Sequence, residues 1–135
     1  MPLLVDTGVI YAMADRRDAW HRRVVDYVKV TPQALLVPVT VVPEAAYLLR
    51  ERLGAEAETA FAASIANGEL TIEGLSAADW KRVASLVEKY DYLGIVDASV
   101  VAITERLKLR TLATTDRRHF STVRPSHVER LALVP

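Results

Sequence analysis

Leu93-Gly94-Ile95-Val96-Asp97-Ala98-Ser99 sets one carboxylate at the start of a long apolar helix, which Val100, Val101, Ile103, Thr104 and Leu107 continue. Working outward, Lys108-Leu109 leads from this helix into a strand over Arg110-Thr111-Leu112-Ala113. Upstream, Ser76 with Asp79 has the spacing of a capping box with Asp in place of Glu. It opens a helix whose inner face is expected to carry Trp80, Val83, Leu86 and Val87.

The N-terminal half repeats this alternation. Leu3-Leu4-Val5 is apolar on successive positions, as in a parallel strand covered on both faces, and reads as the central strand. Thr7-Gly8 turns into a short helix over Val9–Met13, and a second helix is expected from Asp18, with Trp20, Val24, Val25 and Val28 inward. Ala34-Leu35-Leu36-Val37 is a strand ended by Pro38. Thr40 offers a cap for a helix with Pro43 in its first turn, and Gly54 stops that helix. Ala55 to Ala66 is alanine-rich and helical, Asn67-Gly68 turns, and Leu70-Thr71-Ile72 is a third strand. Asp116 to Phe120 is a loop or short turn, and Leu131–Val134 closes the chain as a last strand. Parallel neighbours need helical crossovers, so this order predicts a three-layer α/β/α domain over residues 1–135 with a mainly parallel sheet of about five strands.

Composition narrows the class of protein. The chain has 135 residues, 51% hydrophobic and 25% charged, which suits one globular domain rather than a disordered segment. Seventeen basic and seventeen acidic residues cancel, so a nucleic-acid partner would be held by a local basic patch. The absence of cysteine removes disulfides, thiolate zinc sites and a cysteine nucleophile. A carboxylate arrives too early at Asp6 for a signal peptide, and no apolar run approaches the roughly 18 residues of a membrane span. A cytoplasmic location is the expectation.

Four acids stand where strands end or helices begin: Asp6 after the first strand, Glu44 past the second, Asp97, and Asp116 after the fourth. Open α/β sheets bind ligands beyond the carboxyl ends of their strands, so the four are expected to converge on one edge. Two carboxylates about 5 Å apart repel by roughly 3 kcal/mol at an effective dielectric near 20. Either protons remain on the group or a hard cation neutralises it. Magnesium or manganese suits an all-carboxylate site, and such a site suits phosphodiester hydrolysis without a protein nucleophile.

Each acid also has a structural explanation. Asp97 could be a helix cap, Asp6 a turn cap, Glu44 a partner for a helix dipole and Asp116 the start of a turn. Glu44 is the hardest to dismiss, because it sits inside the apolar run Val41-Val42-Pro43-Glu44-Ala45-Ala46-Tyr47.

Taken together, Leu4-Val5-Asp6-Thr7, Val41-Val42-Pro43-Glu44, Leu93–Ser99 and Thr114-Thr115-Asp116-Arg117-Arg118-His119-Phe120 resemble the PIN-domain ribonucleases, in particular the VapC-type toxins of toxin–antitoxin pairs. The resemblance spans almost the whole chain. It implies that Asp6, Glu44, Asp97 and Asp116 are the catalytic quartet that holds magnesium or manganese, and that the substrate is single-stranded or loop RNA. It also implies that Thr7, Thr114 or Thr115 positions a water or phosphate, although β-branched residues at strand ends need no such role. A homodimer and a small antitoxin that fills the catalytic groove follow from the resemblance alone.

RNA requires cationic contacts to its backbone, and Arg16, Arg17, Arg117 and Arg118 are the candidates, against a plain reading as solvated loop charge. Trp20 and Trp80 fall on apolar helical faces and are expected in the core. His21, His119 and His127 are scattered and read as surface residues; if His119 has a role, it would touch phosphate. Asp91 either joins the site or sits in the Tyr90-Asp91-Tyr92 turn. Two alternatives remain: a phosphoacceptor receiver-like domain, disfavoured by the single acid after the first strand and the lack of lysine after Lys108, and a dead PIN-fold binding module.

Overall fold

Residues 1–135 are described by a computed structural model. The first strand, β1 (Leu3–Val5), is buried at every position and runs into α1 (Thr7–Ala14) through a single connecting residue, Asp6. Then follow α2 (His21–Val30), β2 (Leu35–Pro38), α3 (Val41–Leu53), α4 (Ala55–Ala66) and β3 (Leu70–Glu73). The C-terminal half holds α5 (Ala77–Lys89), α6 (Ile95–Leu107), β4 (Thr111–Ala113), α7 (Arg117–Phe120) and β5 (Ala132–Val134).

All strand pairs are parallel, in the order β3-β2-β1-β4-β5. β1 is therefore central, pairing Leu4 with Leu36 on one side and with Leu112 on the other. The helices flank this sheet: α1 packs on α2 and α3, α3 on α4, and α5 on α6. The core gathers Leu3, Leu4, Val5, Leu112 and Ile103 with Leu86 and Phe120, all almost inaccessible to solvent. No helix is long and apolar enough to cross a membrane.

Several local readings change. Asp18 caps a turn through the Trp20 N–H, and α2 begins three residues later than expected, at His21. Gly8 is not a turn residue but the second residue of α1. Thr40 precedes α3 without capping it; its hydroxyl instead lies 2.5 Å from the Ser99 hydroxyl, tying the start of α3 to α6. Trp80 is 47% exposed rather than inward, while the Ser76–Asp79 capping box is present. Gly54 ends α3 at φ 97°, a backbone region that favours glycine.

Half-buried ion pairs tie α5, α6 and the end of β3 together. Arg82 grips Glu105 through two bonds of 2.7 and 2.9 Å, and Glu105 also accepts the Ser126 N–H. Arg106 bridges Asp79 and Glu73.

Candidate active site

The central position of β1 decides where the acids go. Asp6 leaves the end of β1, and its N–H donates to the Ala113 carbonyl at the end of β4. Its carboxylate caps α1 through the Val9 N–H at 3.1 Å and accepts the Thr114 hydroxyl. The same hydroxyl oxygen accepts the Asp116 N–H at 2.9 Å, so Asp6 and Asp116 are held by one threonine. Asp116 in turn caps α7 through the His119 N–H.

Asp97 is not a helix cap. Gly94 occupies that position of α6, and Asp97 lies in the first turn with its carboxylate free of capping. Glu44 lies in the first turn of α3, where the Thr7 hydroxyl donates to it at 2.5 Å. Despite its apolar neighbours in sequence, Glu44 is exposed. Helical geometry accounts for this: Val41, Ala45 and Leu49 turn inward and leave Glu44 on the open side.

Charge density at this edge is high. Burial, with added repulsion from Asp97 and Asp116, pushes the Asp6 carboxyl up to about 7 despite its hydrogen bonds from Thr114 and Val9. Burial also raises Asp97, to about 6, helped by the charges of Asp116 and Glu44 and partly offset by His119. Asp6, Asp97 and Asp116 therefore act on one another, and Glu44 reaches the group only through Asp97. An oxygen-rich, mutually repelling group of this kind fits a hard divalent cation.

His119 was not expected here. Its Nδ1 lies 2.9 Å from the Asp116 carboxylate and 3.9 Å from that of Asp97, and its ring stacks on Tyr92 with centroids 5.3 Å apart. Ligand atoms of Asp97, Asp116 and His119 all lie within 4.8 Å of one another. The signal available in sequence was the three-residue step from Asp116 to His119 on a short helical turn. The other histidines are latches: His21 Nδ1 lies 2.6 Å from the Ala12 carbonyl, and His127 Nε2 lies 2.6 Å from that of Leu109.

Thr115 projects onto α1, where a Cβ on Gly8 would collide with its hydroxyl. Asp91 is exposed in its turn and outside the cluster of potential ligands. Arg118 shares a hollow of about 240 Å³ with Tyr92, His119 and Thr122. Arg117 bonds the Pro135 carbonyl and lies over the Trp20 ring at 5.5 Å, with Arg23 closer at 3.9 Å. Trp20 is thus half-buried under cations, and Arg16 and Arg17 are exposed on the loop just before it.

Residues 3–124 match the model of the PIN domain. The chain belongs to the PIN-domain family. Ribonuclease VapC26 of Mycobacterium tuberculosis is 34% identical over 135 residues, covering 98% of this chain and all of that protein. This relationship places the chain among the VapC proteins of the PIN-domain family. Two solved structures share the fold. M. tuberculosis VapC20, described as a sarcin-ricin loop cleaving toxin, superposes with a TM-score of 0.80 at 21% identity, covering 86% of this chain and 91% of that one. A toxin–antitoxin complex from Klebsiella pneumoniae gives 0.73 at 16% identity, covering 98% and 96%. A PIN-domain parentage sets aside the receiver-like alternative.

Proposed function

We propose that this protein is a metal-dependent endoribonuclease, the toxin of a toxin–antitoxin pair, built as one PIN domain over residues 1–135. The observation that carries this reading is the meeting of Asp6, Asp97 and Asp116 at one sheet edge, with Glu44 close enough to raise Asp97. Asp6 and Asp116 also cap helices, but no structural role requires Asp97 beside them, and the VapC relationship gives the place a chemistry.

In this reading Asp6, Glu44, Asp97 and Asp116 hold magnesium or manganese and are the catalytic residues. When bound, the cation acidifies a water and neutralises charge on the phosphoryl and leaving oxygens. The protein's own residues do the positioning. Thr114 fixes the rotamer of Asp6 and the backbone of Asp116 together, and Thr7 fixes Glu44. Thr115 stands beside α1, where it can orient a phosphate. Arg118 and Arg117 border the acids and can take phosphates flanking the scissile bond, and Arg16 and Arg17 extend the basic border along the Trp20 loop. No element of this arrangement encodes a preferred base, which suits an RNA substrate chosen by shape or loop context.

The partner reading is a small antitoxin and a homodimer. An apolar hollow of about 420 Å³ runs between α1, α3 and α4, lined by Ile10, Met13, Leu49 and Phe61, and Tyr47 and Leu53 are exposed on α3 nearby in sequence. Such surfaces suit an apolar peptide or a second copy. A cytoplasmic location goes with this reading.

Cleavage of single-stranded RNA tests the reading. Activity is expected with manganese or magnesium, to vanish with EDTA, and to fall by orders of magnitude in a folded Asp97→Asn variant. Undiminished cleavage by that variant would overturn the assignment.

A further inference from the structure

His119 neighbours the acidic group, three residues beyond Asp116. Its Nδ1 is buried and takes no hydrogen bond, although the Asp116 carboxylate oxygen is only 2.9 Å away. Proximity without hydrogen-bond geometry leaves a nitrogen and an oxygen side by side with no bond between them. With the ring proton on Nε2, two lone pairs face each other there and repel unless a cation lies between them.

The spacing fits that cation. In an octahedron with bonds of about 2.1 Å, adjacent donors are about 3.0 Å apart and opposite donors about 4.2 Å apart. Nδ1 lies 2.9 Å from Asp116 and 3.9 Å from Asp97, distances that donors around one such ion would span. Stacking on Tyr92 holds the imidazole plane, and the capping bond from the His119 N–H to Asp116 fixes the backbone that carries it. Tyr92 is anchored in turn by the Thr122 hydroxyl at 2.6 Å. The ring is therefore preorganised by contacts that no phosphate is needed to explain.

The geometry points to His119 Nδ1 as a nitrogen ligand of the same divalent cation that the acids hold, making this a mixed carboxylate–imidazole site that favours manganese over magnesium. The inference rests on the metal-nuclease reading of the acidic centre. Manganese shares magnesium's liking for carboxylates but, as a first-row transition ion, accepts imidazole more readily, whereas magnesium takes oxygen ligands and keeps its waters.

Manganese is added to the purified full chain and its electron spin echo is recorded. Modulation from one imidazole ¹⁴N is expected, and it should change to the ¹⁵N pattern when the protein is made with ¹⁵N-histidine, a comparison that needs no variant. His119→Gln should abolish it. By calorimetry the same substitution should weaken manganese binding about tenfold or more, and magnesium binding by no more than about threefold. Bound manganese without nitrogen modulation, or equal losses for both ions, would remove His119 from the site and leave the acidic centre intact. Failure of the wild-type chain to take up manganese, with or without RNA, would remove the centre itself.

Discussion

Asp6 shows how much one side chain is asked to do. It is 6% exposed, caps α1, accepts a threonine hydroxyl and still faces two other carboxylates. Folded, it holds its proton up to about pH 7, whereas unfolded it releases it near the ordinary value of 3.8. Between those values the folded chain binds more protons than the unfolded chain, so the stability of the metal-free protein falls as pH rises and levels off above about 7. The contribution of Asp6 to that fall is on the order of 4 kcal/mol at most. Urea unfolding in EDTA should therefore give a lower stability at pH 8 than at pH 5, and Asp6→Asn should flatten the difference; a flat wild-type profile would contradict the raised Asp6 carboxyl. Because cation binding must displace the same protons, calorimetry near pH 6.5 in buffers of different ionisation enthalpy should also register proton release on manganese binding. Residues of this kind were legible in sequence because an acid at a strand end or within an apolar run is conspicuous. His119 was legible only in its three-residue step from Asp116, since Asp97 is close to it only through space and no histidine repeats at ligand spacing.

Elements were legible wherever the determining contact is local. The Ser76–Asp79 capping box is a three-residue affair and is found as expected. Asp18 and Thr40 were misjudged for the opposite reason: each side chain that could cap a helix found another partner, a turn N–H for Asp18 and Ser99, 59 residues away, for Thr40. Trp80 shows the limit of periodicity, since an apolar stripe wider than its neighbour leaves one member outside. Gly8 is the clearest case of a long-range demand on an element. Alanine at a helical position normally gains up to about 1 kcal/mol over glycine. Here the new Cβ would collide with the Thr115 hydroxyl, and overpacking of that kind costs about 1–3 kcal/mol. The clash outweighs the propensity, so Gly8→Ala should lower Tm and weaken manganese binding by displacing the segment that carries Asp116. Adding Thr115→Ala should restore most of the lost stability. Gly8→Ala as stable as wild type, or no recovery in the double variant, would show that the two segments do not press on each other.

At the scale of the whole molecule, the parallel class, the strand count and the central place of β1 followed from alternation and from a strand apolar on every position. The outer strand order did not, because crossover lengths permit several arrangements and only pairing distinguishes them. Nor did the open face of α4, where Phe61 is the one buried residue and alanine spacing marks no side. Charge is the other global property. With seventeen charges of each sign, long-range attraction to a polyanion is absent on average, so in the proposed reading affinity for RNA falls to the arginines bordering the acids. Each phosphate contact to a single strand contributes about 0.7 to the slope of log affinity against log salt. Arg118 is exposed beside His119, and its side chain makes no ion pair, so Arg118→Gln can be read as loss of one contact, whereas Arg117 also holds Pro135 and Trp20. Fluorescence anisotropy with a labelled single-stranded RNA, in an Asp97→Asn background to prevent cleavage, should show the slope reduced by about 0.7 in the Arg118→Gln protein. The loss should be the same for RNAs of different sequence, since a phosphate carries no base identity. An unchanged slope would place Arg118 off the RNA path, and a loss confined to one sequence would mean that it reads a base.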